Sequence, residues 1–377
     1  MQYQRWSLEW QQGFGARTSF TVGYFGHHGI HELVQNTNAN AYGFGSLPTS
    51  ACTSPPVPPC ADPRFSFVTE FDTNAVSNYN GMVVSFKHRW GQSLFQANYT
   101  YGHALDEISN GGFLPFTNAT FLTPQNPNNL RGAYGPADYD VRHSFNANYI
   151  WELPVKHLLR DHGWDSLLTG WQISGTIFAR TGFPYTVFDP EESGNLAQNN
   201  YSGAIYAVPA GPLGSGPPCG EGAAFPLSPH PCLPPQFFVL ADGSTTPNPN
   251  ALFIQSTCET GFNTGNLPGP SGPCKGPAVS FAQGRNRFRG PSYFDTDFTI
   301  MKKTKIHGWE NATLGVGLQF FNFFNHPNFG FPDNAVSDST FGQIGYLEQP
   351  PTSVLGTGFS GGNASARMIQ LKAQLQF

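Results

Sequence analysis

Apolar and polar residues alternate along many stretches of this chain. The final residues, RMIQLKAQLQF, show the pattern clearly, because every second side chain from Ile369 to Phe377 is apolar. A period of two residues is typical of a β-strand with one apolar face. Nine segments follow this pattern, at residues 6–10, 20–24, 82–90, 95–101, 145–151, 171–179, 294–300, 314–320 and 369–377.

The length of these segments and of their connections indicates a membrane protein. With their flanking residues the strands reach about 11 to 14 residues, whereas strands of globular proteins have about 5 or 6 and a bilayer crossing needs about 10 tilted residues. Short connections alternate with long ones, as they do in outer-membrane barrels. The long loops are predicted at about 29–76, 106–138, 182–291 and 326–362.

We therefore predict an all-β fold, an antiparallel transmembrane β-barrel in the bacterial outer membrane, with outer-membrane lipid against its apolar face. Tryptophans near strand ends fit an aromatic girdle at the membrane interface, although the core of a soluble sheet is the alternative for any single one of them. These tryptophans are Trp6, Trp10, Trp90, Trp151 and Trp171.

Nine strands cannot close into an antiparallel barrel. The first and ninth strands run in the same direction, and unpaired edges in hydrocarbon cost several kcal/mol for each backbone group. The start, MQYQRWSLEWQQ, has neither the basic nor the apolar region of a signal peptide. Residues 1–377 are therefore interpreted as the C-terminal part of a larger barrel whose preceding strands are missing.

Composition narrows the function classes. The net charge is −5 and charged residues make up 11% of the chain, so nucleic acid is not an expected partner. No run of about 18 apolar residues predicts a transmembrane helix. We find no phosphate-binding loop, Ser-His-Asp order or zinc signature, so we expect neither an enzyme nor a cofactor.

The six cysteines fall as three close pairs in Pro/Gly-rich stretches of the predicted long loops. Local pairing of this kind suggests small disulfide-closed loops in an oxidising compartment. A metal site is the alternative, but no CxxC or matching histidine spacing supports it. The cysteines predicted to form disulfides are Cys52, Cys60, Cys219, Cys232, Cys258 and Cys274.

Charged residues within the strands are interpreted as lumen-facing. Asp295 and Asp297 lie on one face of a strand, and Arg142 and Arg180 occupy comparable positions. A carboxylate pair can serve acid–base chemistry, but no nucleophile or histidine accompanies it, and solvated lumenal charges are the favoured interpretation.

Two other clusters leave alternatives open. Arg285, Arg287 and Arg289 precede a strand on the predicted outer side, where they could contact lipopolysaccharide phosphates, bind an anionic ligand, or form a solvated rim, which we favour. The HHGIH stretch contains three histidines at a strand end, but His27 and His28 point to opposite faces of a strand and cannot readily share a metal.

Two phenylalanines after the eighth strand are also assigned by alternation. In FFNFFN, alternation places Phe321 and Phe323 inward or at the rim, where packing against a plug or loop is expected.

Five stretches resemble the C-terminal barrel of TonB-dependent outer-membrane receptors of the Oar-like group, which carries a carboxypeptidase-regulatory-like domain. They are YNGMVVSFKHRWGQSLFQANYTYGHALDE, DYDVRHSFNANYIWELP, GWQISGTIFARTGFPYTV, GRNRFRGPSYFDTDFTIMKKTKI and LGVGLQFFNFFNHPNFGFP.

The resemblance implies a 22-stranded barrel with an N-terminal plug that takes up a bulky nutrient ligand through the TonB complex. The plug and the preceding strands are absent from residues 1–377, so contact with TonB is expected through the missing part. A terminal strand that ends in Leu375 and Phe377 resembles the signal read by the barrel assembly machinery.

Two other function classes remain open from the sequence. One is a passive porin-like barrel without a plug. The other is a secreted all-β adhesin or carbohydrate-binding protein, in which a second sheet instead of lipid covers the apolar faces.

Overall fold

The computed structural model describes the long strands together with parts of the connections between them. The described residues are 1–40, 64–65, 67–109, 129–154, 169–189, 205–207, 237–239, 245–247, 268–269, 272–273, 285–306, 312–336, 338, 340–348 and 366–377.

Nine long strands form one antiparallel sheet in which every strand pairs with its neighbours in the sequence. This order is an up-and-down meander, and it confirms the prediction of an all-β antiparallel architecture with nine long strands. The strands are β1 (Gln2–Phe14), β2 (Thr18–Asn36), β3 (Glu70–Trp90), β4 (Ser93–Asp106), β5 (His143–Glu152), β6 (Trp171–Arg180), β7 (Tyr293–Lys305), β8 (Thr313–Phe321) and β9 (Met368–Gln376).

Short elements surround this sheet. Gly135–Pro136 adds two residues beside β4, and Leu130–Ala133 forms one turn of 3₁₀ helix, with the Asn129 side chain accepting a bond from the Gly132 N–H. Within the described ranges, no helix is both long and apolar enough to cross a membrane. The described residues also form four short two-stranded sheets. They pair Pro184–Tyr185 with Phe288–Arg289, Phe188–Asp189 with Ile205–Tyr206, Phe237–Val239 with Thr245–Pro247, and Pro268–Gly269 with Gly272–Pro273.

The register separates an apolar from a polar face. Residues that pair directly across antiparallel strands lie on the same face, so a row of paired residues can be followed through the sheet. One row is almost entirely apolar: Trp10, Val22, Val84, Tyr99, Phe145, Ala179 and Phe294. The adjacent row is mostly polar: Gln11, Thr21, Ser85, Asn98, Asn146, Phe178 and Asp295.

The apolar face is open to its surroundings in the described part of the chain. Leu8 in β1 is 75% exposed and Leu371 in β9 is 73% exposed, and three alternate residues of β8, Leu314, Val316 and Leu318, are exposed as well. A soluble sandwich would bury such residues against a second sheet. A row of exposed leucines and valines is instead typical of a surface that contacts lipid.

The strands are staggered as barrel closure requires. A row of paired residues that starts at Phe14, the last residue of β1, reaches Ile369 in β9, seven residues before the end of that strand at Gln376. At about 3.4 Å per residue and about 4.8 Å between strands, this stagger corresponds to a tilt of about 30°. Tilted strands of this kind are typical of closed barrels.

The barrel is incomplete, because the two outer strands of the sheet do not pair with each other. β1 pairs with β2 alone and β9 pairs with β8 alone among the described strands, and every residue of both outer strands is exposed. One row of backbone N–H and C=O groups is therefore left without a strand partner at each edge.

Connections of different length lie at the two ends of the sheet. Short turns join β1 to β2 and β3 to β4, where Gly15 and Gly91 have φ angles of 65° and 57°, in the left-handed region that glycine adopts readily. The long connections follow β2, β4, β6 and β8, all at the other end. We call this the long-loop end.

The predicted loop 29–76 is too long. β2 continues to Asn36 and β3 begins at Glu70, so both strands extend beyond the predicted boundaries. A β-bulge lies between Gly29 and Leu33, where His31 has a φ of 56°. The bulge interrupts the period of two, and for that reason the alternation did not reveal the rest of the strand.

Of the two positions predicted for Phe323, inward or at the rim, the inward one is wrong. Its ring lies 5.0 Å from Phe298 and 5.6 Å from Phe320, and both of these residues belong to the apolar face. Asn322, between Phe321 and Phe323, has a φ of 48°, which ends the strand alternation. Alternation therefore no longer predicts the face to which the next phenylalanine points.

Candidate functional site

Several connections pack together at the long-loop end, and we call their described residues the loop layer. The layer has a small apolar core, in which Tyr185 and Val187 are almost completely buried and the Phe183 and Phe331 rings stack 6.4 Å apart. This packing makes the end of the sheet a structured surface. The layer comprises described residues in the ranges 129–142, 181–189, 205–207, 285–292 and 326–348.

Arg285 lies at the centre of the polar part of the loop layer and is 2% exposed. Its Nε donates to the Ala133 carbonyl at 3.1 Å, and one terminal nitrogen donates to Ser109 Oγ and lies 3.6 Å from the Asp138 carboxylate. The other terminal nitrogen donates to the backbone carbonyl of Asp106 at 2.8 Å and to the Asp106 carboxylate. The guanidinium therefore donates four hydrogen bonds within the protein, and the Asp138 carboxylate adds an ion pair.

The charge of Arg285 is compensated within the protein. Burial alone would lower the pKa of this guanidinium, but the nearby Asp106, Tyr206 and Asp138 groups raise it, and the pKa lies above its ordinary value. The prediction that Arg285 belongs to a solvated rim is therefore wrong. Arg285 is a buried cross-link between the end of β4 and the segment before β7.

Asn286 fixes the direction of the arginine-containing segment. It has a φ of 57° and is 2% exposed. Its amide donates to the Pro136 carbonyl at 2.8 Å and to the Asp138 carboxylate at 2.5 Å, while its backbone N–H donates to Thr186 Oγ1. These bonds hold the segment against the loop layer.

Asp140 forms a second charged centre beside the first. Its carboxylate accepts bonds from the Ala104 backbone N–H at 2.8 Å, from Arg142 Nε at 2.9 Å and from Arg289 Nη2, and it lies 3.4 Å from His103 Nδ1. Burial acts to raise the pKa of Asp140, but the Ala104 N–H and the two arginines outweigh burial, and the pKa lies below its ordinary value. Asp140 is therefore a carboxylate at neutral pH.

Arg180 connects the polar face of the sheet to the loop layer. Its guanidinium lies 2.5 Å from the Glu348 carboxylate and 4.1 Å from the centre of the Phe183 ring. Burial raises the pKa of Glu348, and Arg180 partly offsets this effect. The pair holds the loop that follows β8 over the end of β6.

Asp295 and Asp297 lie side by side on the polar face of β7, and both are buried. Asp297 accepts bonds from Thr176 Oγ1 and from the Asn322 backbone N–H. Arg180 of β6 pairs in register with Tyr293 of β7, whereas Arg142 immediately precedes β5 and contacts Asp140. Their assignment as lumen-facing stays a prediction.

The three histidines near the bulge have separate partners. The His27 ring stacks on Tyr3, His28 Nδ1 lies 2.7 Å from Asn78 Oδ1, and His31 Nδ1 lies 3.2 Å from the Thr73 carbonyl. Among the described residues, no group of three or more His, Cys, Asp or Glu side chains is arranged so that it could hold a metal ion.

The two residues of the predicted assembly signal lie at the C-terminal end of the sheet. Leu375 pairs with Leu314 within the apolar face, and Phe377 follows β9 and is 82% exposed. Their role in barrel assembly stays a prediction. All six cysteines lie outside the described residues, so the predicted disulfides are not addressed by the structure.

Sequence reasoning missed the acidic partners of the arginines. Asp106, Asp138, Asp140 and Glu348 were not singled out, although all four are buried or nearly so. The available signal was the charged pair DE at the end of β4 and the DYDVR stretch before β5. Charged residues at a strand end, opposite an arginine-rich segment, are candidates for ion pairs.

The long-loop end and the amphipathic sheet define the class of this protein. A meander of long, tilted strands with an exposed apolar face and long connections at one end is a membrane β-barrel sheet. The family model described as outer membrane beta barrel domain matches residues 1–370. The chain belongs to this family, and its location is the outer membrane.

The chain is similar to a solved structure of an outer-membrane transporter. The outer membrane transporter YddB from Escherichia coli aligns with a TM-score of 0.43 and 8% sequence identity. The alignment covers 98% of this chain and 32% of that transporter, so the chain spans about a third of its length. No curated protein matches the sequence.

Proposed function

We propose that this chain forms part of a TonB-dependent receptor barrel that takes up a bulky nutrient ligand across the outer membrane. In this proposal further barrel strands pair with β1 and β9, a plug fills the lumen, and the barrel assembly machinery inserts the protein. The TonB complex acts through the plug.

The open edges of the amphipathic sheet carry this proposal. Backbone N–H and C=O groups without partners cost several kcal/mol each in hydrocarbon, so a sheet with lipid on one face has to close. β1 and β9 run in the same direction, and direct pairing between them would be parallel. Additional strands between them would close an antiparallel barrel.

The family and the sequence resemblance support the uptake function. The chain belongs to an outer-membrane barrel family, and five of its stretches resemble TonB-dependent receptors. The structured loop layer offers a fixed surface at the long-loop end, where a receptor of this kind meets its ligand. The described residues support no catalytic proposal.

We expect photo-crosslinking to reveal the strands that pair with the two edges. A benzoylphenylalanine at Gln11 in β1 or at Gln374 in β9 lies on the polar face within reach of an adjacent strand. In the natural protein in its outer membrane, cross-linked peptides from strands other than β2 and β8 are expected. The control position is Asn98 in β4, whose cross-links should be confined to β3 and β5.

Edge positions that cross-link only to β2 and β8 would contradict the closure of the barrel by further strands. The TonB step is tested separately by formaldehyde cross-linking in cells, where a product that contains both this protein and TonB is expected. A closed barrel that gives no such product, and that admits sugars in a liposome-swelling assay, would be a passive porin.

A further inference from the structure

We propose that a cavity lined by four arginines in the loop layer binds a phosphate-like oxyanion. The cavity has a volume of about 340 Å³ and lies between Arg142, Arg285, Arg287 and Arg289, with Tyr134 on its wall. This volume accommodates a phosphate group together with part of the molecule that carries it.

The acidic partners of the arginines do not line the cavity. Asp106 and Asp138 contact Arg285, and Asp140 contacts Arg142 and Arg289, but none of these carboxylates belongs to the cavity wall. The ion pairs therefore orient the arginines without occupying the space between them. Guanidinium groups held in this way are preorganised for an anion.

Free donors remain after the internal hydrogen bonds are counted. Arg285 directs its guanidinium at acceptors inside the loop layer, with four hydrogen bonds and an ion pair, and acts as a support. Arg142 uses Nε and one terminal nitrogen, toward Asp140 and His103, and Arg289 uses its two terminal nitrogens. Within the described part of the chain, one terminal nitrogen of Arg142 and the Nε of Arg289 therefore have no acceptor and are available to a ligand.

Among the described arginines of the cavity, Arg287 has the most hydrogen-bond donors without an internal acceptor. It is exposed, lines the cavity, and has no hydrogen bond or ion pair with the described residues. Its neighbours in the sequence are firmly held, because Asn286 is anchored to Thr186 and Asp138 and Phe288 packs on Tyr185 with ring centres 5.7 Å apart. The backbone that carries Arg287 is thus fixed while its guanidinium is free to contact a ligand.

The chemistry of the site matches an oxyanion. A phosphate offers several acceptor oxygens with about two negative charges, and arginine recognises such groups through two parallel N–H···O bonds. The cavity supplies donors from three arginines on two segments of the loop layer, Arg142 on one and Arg287 and Arg289 on the other. The phosphate can belong to a soluble ligand or to the head group of lipopolysaccharide.

The binding of inorganic phosphate tests the proposal. The complete protein is placed in phosphatidylcholine nanodiscs without lipopolysaccharide and titrated with phosphate at constant ionic strength, with binding followed by phosphorus NMR. Saturable binding is expected. Arg287→Gln should weaken it about ten-fold or more, because the substitution removes charge-assisted hydrogen bonds to the phosphate.

The matched control is Arg367→Gln, since Arg367 is exposed and does not line the cavity. This control should bind phosphate as the unmodified protein does. Nanodiscs that contain lipopolysaccharide distinguish the source: weaker apparent binding of free phosphate means that head-group phosphates occupy the cavity, and unchanged binding means that a soluble ligand does.

The proposal is overturned if phosphate does not saturate, or if Arg287→Gln and Arg367→Gln bind it equally well. The measurement requires neither TonB nor transport. Its failure would therefore leave the proposed uptake function intact, and a failure of the uptake function would leave this site intact.

Discussion

Replacing Arg285 with methionine should accelerate hydrogen exchange in the loop layer roughly 100-fold or more. The substitution leaves the Asp106 and Asp138 carboxylates buried without their shared cation, and removing one partner of a buried ion pair costs about 3–5 kcal/mol. The loop layer is the part that is destabilised, because Arg285 joins the end of β4 to the segment before β7. Local opening should therefore respond more strongly than global unfolding.

Hydrogen–deuterium exchange measured by mass spectrometry provides the readout. The informative amides are Ala137, which donates to the Ala104 carbonyl, and Gly290, which donates to the Phe183 carbonyl. Arg287→Met is the matched control, because Arg287 is exposed and two residues away. Equal protection in the two variants would show that Arg285 does not hold the loop layer together.

An arginine on the apolar face should destabilise the barrel strongly, whereas an arginine on the polar face should not. Leu318 lies in the middle of β8 between Ile300 and Leu371, and it is 41% exposed. If lipid covers this face, Leu318→Arg should cost about 2–4 kcal/mol near the membrane midplane. Gln319→Arg, one residue further on the opposite face, should cost much less.

The two variants are compared by urea unfolding of the complete barrel in lipid bilayers, followed by tryptophan fluorescence. Both introduce the same side chain at adjacent positions of one strand, so helix or strand propensity does not distinguish them. A Leu318→Arg protein that is as stable as the Gln319→Arg protein would mean that water, not lipid, contacts the apolar face.

Alternation predicted the sheet well because the two faces have different surroundings. The nine segments recognised from the sequence correspond to the nine long strands, and Phe145 and Ile173 fall on the apolar face as their spacing requires. A period of two is a local property, so it can be recognised without knowing which strands are neighbours.

The predictions failed where the backbone leaves the regular strand conformation. His31 and Asn322 both have positive φ angles, and both follow a strand segment that had been predicted correctly. At His31 a bulge lies within β2 and the strand continues beyond it. At Asn322 the backbone leaves the strand conformation, and Phe323 lies on the apolar face. Neither histidine nor asparagine reliably signals a left-handed conformation. The sequence pattern therefore ended β2 too early at the bulge and was continued too far at Phe323.

The charged network could not be predicted because its partners are distant in the sequence. Arg285 and Asp106 are separated by 179 residues, and Arg289 and Asp140 by 149. Such contacts arise only when the long connections fold onto the same end of the sheet. Local spacing identified the arginines as a cluster but contained no information about their carboxylate partners.

The central claim is that acyl chains contact the apolar face of the sheet. It is tested most directly by attaching spin labels at Phe145, Ile173 and Leu318, and at the adjacent polar-face positions Asn146, Ser174 and Gln319, in the complete protein in bilayers. We predict that the first three labels are more accessible to dissolved oxygen than to a water-soluble nickel complex. The ratio of oxygen accessibility to nickel accessibility should be lower at the three polar-face positions. Equal ratios at both sets of positions, or labels immobilised and inaccessible to both reagents on the apolar face, would contradict the claim.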